Sequence, residues 1–363
     1  MNSPSDHKIR SFAPGRIELL GNHTDYNQGL ILGAAIDRGV TVSGARLGDD
    51  LIRISSTLMG SIEVGLESLR PQRELIWANY PLGVTRELID AGIPVRGFEL
   101  HVESNLPPRC GLSSSAALEV ATALLLLRLH HYELAPMSLA RLCQRAEHQF
   151  VGVRSGLLDQ VMSIFGRANH LIYFDARSNE VRLIPFPAEL ALIVAQSGRE
   201  RELSRGQYNL RRKQTFAAAR SLGVTALRDL SLHQLAEQSD LDPLLSRRAR
   251  HVIGEIERVT HAVRALADGD VDQLGQLMNE SHESSRQNFE NSTSELDLLV
   301  QLAREQPGVF GARLTGAGFG GAIVALCQRD QSEAAVGQLR EAYRQKAGIH
   351  SDMFVCQISD GAR

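Results

Sequence analysis

Lysine is nearly absent from this chain. Only Lys8, Lys213 and Lys346 occur among 363 residues, and none of them follows a glycine. A nucleotide-binding P-loop requires Gly-Lys followed by Ser or Thr, so a P-loop is excluded. Any catalytic cation near a phosphate group is therefore expected to be an arginine.

Cysteines and long apolar runs are also scarce. The four cysteines are scattered and form no Cys-x-x-Cys pair, which argues against a zinc site or a disulfide framework. Reduced thiols predict an intracellular protein. No apolar run reaches membrane-spanning length, and residues 1–10 are polar, without the apolar core of a signal peptide. We therefore expect a cytoplasmic protein with no membrane partner.

The overall composition is that of an ordinary globular chain. Hydrophobic residues make up 43% and charged residues 22%, with a formal net charge of −3. This charge gives no electrostatic reason to expect a nucleic acid partner. The composition does not indicate whether the protein has protein partners.

Strand and helix patterns are interleaved along the chain. Apolar patterning predicts strands at residues 40–47, 51–57, 95–104 and 189–195. Apolar residues at helical spacing predict helices at residues 116–131, 138–150, 208–222, 247–267, 271–283 and 294–305. The pattern indicates an α+β protein of two lobes, which we divide into residues 1–183 and 184–363.

A loop of glycine and serine precedes one of the predicted helices. The segment Gly111-Leu-Ser-Ser-Ser115 opens a largely apolar run at residues 120–129. A helix N-terminus offers unpaired N–H groups and a positive dipole end, and small residues let a phosphate approach the backbone. The segment thus predicts an anion cradle, although a serine-rich helix cap is the alternative from this segment alone.

A second glycine-rich segment has the residue spacing of a dinucleotide-binding motif but not its structural context. Residues 316–321 read Gly-Ala-Gly-Phe-Gly-Gly, but the apolar run that follows, residues 322–327, predicts a strand. A dinucleotide fingerprint requires a helix at that point. We therefore expect a glycine loop whose backbone approaches another loop or a ligand.

Three further segments complete a set of ordered motifs: residues 13–29, which hold Pro-Gly-Arg and Asn-His-Thr-Asp-Tyr-Asn; Gly156-Leu-Leu-Asp-Gln160; and Arg313-Leu-Thr before the glycine loop. Together with the Gly-Ser loop they resemble the GHMP kinases, and within these the galactokinase family. Residues 77–80, 146–148, 174–178, 208–212 and 294–297 are similar to galactokinase segments in the same order. The resemblance covers the chain from about residue 12 to about residue 354.

The resemblance implies a fold and an activity. The fold would be the two-lobed GHMP kinase fold, with mixed sheets and helices packed on one side of each. The activity would be ATP-dependent phosphorylation of the anomeric hydroxyl of a hexose, D-galactose giving α-D-galactose 1-phosphate. Two alternatives stay open: a kinase for another sugar, such as a hexosamine or a pentose, and a catalytically silent sensor of galactose and ATP.

The resemblance also implies the catalytic and metal-binding residues. Asp159, in a predicted turn, would accept the proton of the sugar hydroxyl, and Arg16 would lie beside it and stabilise transition-state charge. Mg²⁺ would be held by Glu147 and by the Ser115 hydroxyl. From the residues alone, Asp159 could instead cap a helix or form a surface ion pair, and Glu147 would lie on a solvated helix face.

The remaining site residues follow from the same family pattern. The sugar would be bound by Asn22, His23, Thr24, Asp25, Gly156 and Tyr208. The nucleotide phosphates would be bound by Arg109, Cys110, Gly111, Leu112, Ser113, Ser114 and Ser115.

The chain departs from the family pattern at the sugar motif. Galactokinases usually have Glu where this chain has Asn22, and Asn where it has Glu18. Arg109 and Cys110 replace a pair of small residues, and Ser155 replaces a cysteine. Because the usual Glu contacts the sugar, its absence at position 22 implies relaxed or shifted sugar specificity.

Overall fold

A seven-stranded sheet forms the first half of the chain. The structure, a computed structural model, describes residues 8–107, 110–199 and 204–363. The strands of this sheet are β1 (Ile9–Leu20), β2 (Leu30–Arg46), β3 (Leu51–Ser56), β4 (Gly60–Gly65), β5 (Phe98–Ser104), β6 (His170–Asp175) and β7 (Glu180–Pro185). Their order is β4-β3-β5-β2-β6-β7, with β1 also paired to β2. The sheet is mixed, because β3 and β5 run parallel while the other pairs are antiparallel.

A four-stranded sheet forms the second half. Its strands are β8 (Leu190–Gln196), β9 (Val309–Thr315), β10 (Ala322–Gln328) and β11 (Met353–Cys356), in the order β11-β8-β10-β9. All of these pairs are antiparallel, so only the first sheet is mixed. The strand predicted after the glycine loop is confirmed as β10, which agrees with the exclusion of a dinucleotide fold.

Ten α-helices accompany the sheets within the described residues. They are α1 (Asn79–Asp90), α2 (Ser114–Leu129), α3 (Pro136–Ala146), α4 (Leu158–Phe165), α5 (Ser204–Ser221), α6 (Leu232–Ala236), α7 (Pro243–Asp268), α8 (Val271–Ser284), α9 (Ser294–Arg304) and α10 (Ser332–Ala347). Local sequence sets several of their ends. Asp242 caps α7 just before a proline at its first position, and α7 ends at Gly269 with φ +70°. None of these helices is long and apolar enough to cross a membrane.

One apolar core is shared by both halves. It contains Leu19 and Val42 from the first sheet and Val194 and Val324 from the second. The chain also returns to its start, because Phe12 and Arg363 exchange two backbone hydrogen bonds of 2.7 and 2.8 Å. The two-lobed α+β prediction is confirmed, whereas the division at residue 183 stays a prediction because the two halves share this core.

Strand β1 carries two polar side chains into the centre of the molecule. Arg16 and Glu18 are two residues apart, so they lie on the same face of the strand while Ile17 and Leu19 face the core. The pairing of β1 with β2 shifts register on both sides of Arg16 and Glu18, between Pro14 and Arg16 and again between Glu18 and Leu20. Such bulges change the direction of side chains beside a site.

Candidate active site

A cavity of about 150 Å³ lies where β1, the turn after it, α4, α5 and the glycine loop meet. Most of the predicted catalytic, sugar-binding and carboxylate residues line it. They are Arg16, Asn22, His23, Asp25, Glu147, Gly156, Asp159 and Tyr208. These residues are up to 192 positions apart in the sequence, so the fold itself brings the motifs together.

Arg16 links the predicted proton acceptor to the Gly-Ser loop. Its Nε donates to Asp159 Oδ1 at 2.8 Å, its Nη2 lies 2.7 Å from the same oxygen, and its Nη1 donates to the Gly111 carbonyl at 2.8 Å. Arg16 is 4% exposed, so this geometry is held by packing. Asp159 lies in the first turn of α4 rather than in a loop, because α4 begins at Leu158. A helix N-terminus favours a carboxylate at that position.

The Gly-Ser loop has the backbone shape of an anion site. Gly111 and Ser113 have positive φ angles, +75° and +60°, and α2 begins at the next residue. Ser113 does not cap the helix with its side chain, and its buried Oγ has no hydrogen-bond partner among the described residues. The amides of the first turn therefore have no side-chain acceptor from the capping position, as an anion cradle requires.

The predicted phosphate-binding residues contribute in different ways. The side chains of Cys110 and Leu112 are buried, so contact with a nucleotide from these two positions would have to come from the backbone. Ser114 is exposed and Ser115 partly exposed at the start of α2. Arg109 lies outside the described residues.

Glu147 is not on a solvated helix face. It is 6% exposed, lines the cavity, and accepts a hydrogen bond from the Ser155 hydroxyl. The reason is that α3 ends at Ala146 and continues as a wider π-helical turn, residues 147–151, which alters the direction of its side chains. The expectation of an ordinary exposed glutamate from the residues alone was wrong, because the residue is buried and lines the cavity.

His23 is a neutral group that lines the cavity. Its Nε2 donates to the Ala317 carbonyl at 3.0 Å, which leaves Nδ1 to accept from the Tyr26 hydroxyl at 2.7 Å. Burial, above all, lowers the pKa of His23 to about 4. The Tyr208 ring packs against it, with ring centroids 5.2 Å apart. His23 therefore stays uncharged at neutral pH.

Asp25 and Gly156 are in direct contact. Burial, together with the nearby carboxylates of Asp159 and Glu18, raises the pKa of Asp25 to about 7. A Cβ atom on Gly156 would lie 1.9 Å from Asp25 Oδ2, so only glycine leaves room for this carboxylate. Gly156 thus permits the position of Asp25.

Thr24 does not line the cavity. It is fully buried, and its hydroxyl lies 2.8 Å from the Gly21 carbonyl and 2.7 Å from the Leu30 carbonyl. The hydroxyl therefore closes the turn after β1. In this structure Thr24 shapes the motif instead of facing the cavity.

The two departures in the sugar motif form a single hydrogen-bonded pair. Asn22 Nδ2 donates to Glu18 Oε1 at 2.9 Å, and both residues line the cavity. The carboxylate and the amide have thus changed places within one pair. Glu18 brings a glutamate carboxylate to the same cavity from the preceding strand, and the relaxed or shifted sugar specificity expected from position 22 stays a prediction.

The second half of the chain fixes this motif through residues that the sequence did not single out. Glu255 of α7 accepts from the backbone N–H groups of Gly21 (3.0 Å) and Asn22 (2.8 Å) and pairs with Arg258 at 2.7 Å. Burial opposes the charge of Glu255, but Arg258 and Arg313 outweigh burial and lower its pKa. The sequence signal was a histidine and a glutamate at i, i+4, His251 and Glu255, within an apolar helix face.

Two galactokinases match almost the whole chain. The galactokinase of Haemophilus influenzae is 40% identical over 364 residues, covering 98% of this chain and 94% of the relative. The galactokinase of Roseiflexus sp. is 39% identical over 355 residues, covering 96% and 91%.

Solved structures of kinases are also similar to this chain. The galactokinase of Lactococcus lactis, solved in complex with galactose, superimposes with a TM-score of 0.95 at 32% identity, covering 98% of this chain and 95% of that one. The mevalonate kinase of Methanococcus jannaschii shares the fold, with a TM-score of 0.66 at 19% identity, covering 99% and 100%.

Family models assign the two halves of the chain. The model described as GHMP kinases N terminal domain matches residues 79–167, and GHMP kinases C terminal matches residues 262–345. Fold and site together thus define a GHMP kinase, as the motifs indicated. The model Galactokinase galactose-binding signature matches residues 2–46. With relatives about 40% identical over nearly the whole length, the chain belongs to the galactokinase family.

The contact between Gly156 and Asp25 gives a first prediction. We expect Gly156→Ala to raise KM for the sugar by about tenfold or more, because the added Cβ displaces a charge-assisted hydrogen-bond acceptor worth about 1.5–3 kcal/mol. Steady-state kinetics with varied sugar measure this. The control is Gly206→Ala in α5, where a Cβ meets no atom of the described residues within 4 Å. A parent-like KM in Gly156→Ala would contradict the assigned contact.

The raised pKa of Asp25 gives a prediction on pH. Below about pH 7 the carboxyl is protonated and loses its charge, so kcat/KM for the sugar should fall as pH is lowered through that value. The profile of kcat/KM between about pH 5.5 and 8.5 measures this. Asp25→Asn should have lower activity and lose this acid limb. An acid limb unchanged in Asp25→Asn would assign the titration to another group.

Proposed function

We propose that this protein transfers the γ-phosphoryl group of ATP to the anomeric hydroxyl of D-galactose, forming α-D-galactose 1-phosphate and ADP. The observation that carries the proposal is Arg16, which contacts both the Gly-Ser loop and Asp159 in one buried cluster. Galactokinases 39–40% identical to this chain support galactose as the sugar. Another sugar, or a sensor without catalysis, is not favoured by these matches.

The proposed chemistry assigns a role to each charged group at the centre of the cavity. Asp159 accepts the proton of the anomeric hydroxyl, which makes the oxygen a better nucleophile. Arg16 neutralises charge on the transferred phosphoryl group. The amides at the start of α2 hold the phosphates of ATP, from Gly111 to Ser115.

Mg²⁺ is proposed to be held by Glu147 and Ser115. Four carboxylates line the cavity, those of Glu18, Asp25, Glu147 and Asp159, against the single guanidinium of Arg16, so this lining favours a cation. Among the described residues no three His, Cys, Asp or Glu side chains cluster closely enough to hold a metal by themselves. That fits Mg²⁺, which takes few protein ligands and completes its shell with phosphate oxygens and water.

At the sugar end, His23, Asp25 and Tyr208 are proposed to contact the hydroxyl groups. Neutral His23 and Asp25, whose carboxyl is ionised above about pH 7, differ in hydrogen-bonding capacity, which lets them distinguish hydroxyl orientations. ATP and the sugar are the proposed small-molecule partners. A cytoplasmic location is proposed because all four cysteines are buried and unpaired.

A coupled ADP-release assay over a panel of sugars tests the function. We expect galactose to be phosphorylated in preference to hexosamines and pentoses, and Asp159→Asn to lower kcat by at least about 10²-fold because it removes the proton acceptor. Galactose binding, measured by calorimetry, should persist in the variant.

Asp175→Asn is the matched control, since Asp175 also pairs with an arginine, Arg228, but does not line the cavity. Its kcat should stay near that of the parent. Near-normal turnover in Asp159→Asn would refute the role of Asp159. A panel in which galactose is inert and another sugar reacts would refute galactose as substrate.

The proposed metal site gives a further prediction. Glu147→Gln should raise the Mg²⁺ concentration needed for half-maximal activity, because the amide loses the charge that binds a hard cation, and Ser115→Ala should do so more mildly. Titration of activity with Mg²⁺ measures this. The control is Glu87→Gln, a buried carboxylate of α1 paired with Arg145 outside the cavity. Equal Mg²⁺ dependence in Glu147→Gln and parent would place the metal elsewhere.

A further inference from the structure

Glu18 is a buried carboxylate with one oxygen committed to the protein and the other not. It is 2% exposed and lines the cavity. Oε1 accepts from Asn22 Nδ2 at 2.9 Å and from Arg313 Nη1 at 3.1 Å. No described residue donates a hydrogen bond to Oε2. Because Glu18 lines the cavity, a ligand hydroxyl there would supply Oε2 with the donor that the described residues do not.

Asn22, in contrast, has its amide group occupied by the protein. Its Nδ2 donates to Glu18 Oε1 and to the Gly316 carbonyl at 2.7 Å, which uses both amide hydrogens. Its Oδ1 accepts from Asn291 Nδ2 at 2.9 Å, and the residue is fully buried. Asn22 therefore has no donor left for a ligand. Within the pair, Glu18 is the member with free capacity.

Arg313 fixes the orientation of Glu18 and leaves Oε2 unpaired. The guanidinium is fully buried, and its Nη1 reaches Glu18 Oε1 and the Leu19 carbonyl at 2.9 Å. Nε and Nη2 of Arg313 make no hydrogen bond within the described residues. The ion pair is thus single-pronged, not bidentate. Asn22 and Arg313 both donate to Oε1, so rotation of the Glu18 carboxylate would break both hydrogen bonds.

We propose that Glu18 is a specificity-determining residue of the sugar pocket, whose Oε2 accepts a hydrogen bond from one hydroxyl of galactose while Asn22 and Arg313 position the carboxylate. The proposal rests on the proposed function for the identity of the sugar. It assigns the sugar contact of the pair to position 18 and a positioning role to Asn22. A fixed acceptor discriminates strongly against analogues that lack the donor hydroxyl, because they leave it without a partner.

A thermodynamic cycle tests this contact. It removes the Glu18 carboxylate from the protein, one hydroxyl from the sugar, or both. Kd is measured by calorimetry for galactose and for 2-deoxy-, 3-deoxy-, 4-deoxy- and 6-deoxygalactose, with parent protein and with Glu18→Gln. In the parent, one analogue should bind at least about tenfold more weakly than galactose because of this contact. In Glu18→Gln, the penalty for that same analogue should shrink by at least about fivefold, while the penalties for the other analogues stay as in the parent.

The control is Glu255→Gln, which alters a buried carboxylate of the same network that does not line the cavity. It should change the affinity for galactose and all four analogues by a common factor, as a structural role does. If Glu18→Gln also shows parent-like penalties for every analogue, the proposal is overturned. Because binding is measured, a protein that binds galactose without phosphorylating it would refute the proposed function and leave this test intact. A parent that does not bind galactose refutes both.

Discussion

The buried charge network between β1 and the second half of the chain is the constraint on which the site depends. Glu18 pairs with Arg313, and Glu255 holds the backbone of the turn at Gly21 and Asn22. Buried charges are tolerated only when they are paired and hydrogen-bonded, and loss of one partner typically costs about 3–5 kcal/mol. The network therefore holds the turn that carries His23 and Asp25 against the second half, although it adds little stability over an apolar packing of the same volume.

Strand β1 carries two of the charged side chains that line the cavity. Arg16 and Glu18 lie on one face of the strand, so a single rigid element positions both the group that contacts the Gly-Ser loop and the carboxylate that pairs with Asn22. The strand therefore fixes the distance between these two side chains. Precise alignment of this kind is a major part of catalysis in phosphoryl transfer.

Two glycines are required for the geometry of the site, because a Cβ atom would not fit at either position. A Cβ on Gly156 would overlap Asp25, and a Cβ on Gly318, with φ +79°, would lie 2.2 Å from the Asn291 carbonyl. The glycine loop thus approaches the residue that donates to Asn22. The dinucleotide-like pattern at residues 316–321 is explained by this close backbone approach, since the segment that follows is strand β10.

The sequence alone indicated the class of protein, because its ordered motifs resemble those of galactokinases, and its local signals agree with that class. The lack of Gly-Lys excludes a P-loop, small residues before an apolar helix predict the anion cradle, and the periodicity predicts most of the helices. Tertiary structure alone decided which polar groups meet. The burial of Glu147 depends on a π-helical turn. The Thr24 hydroxyl points away from the cavity because it bonds the carbonyls of Gly21 and Leu30. The pairing of Glu18 with Asn22 and Arg313 joins residues up to 295 positions apart, and contact at that separation follows from packing, which no local pattern encodes.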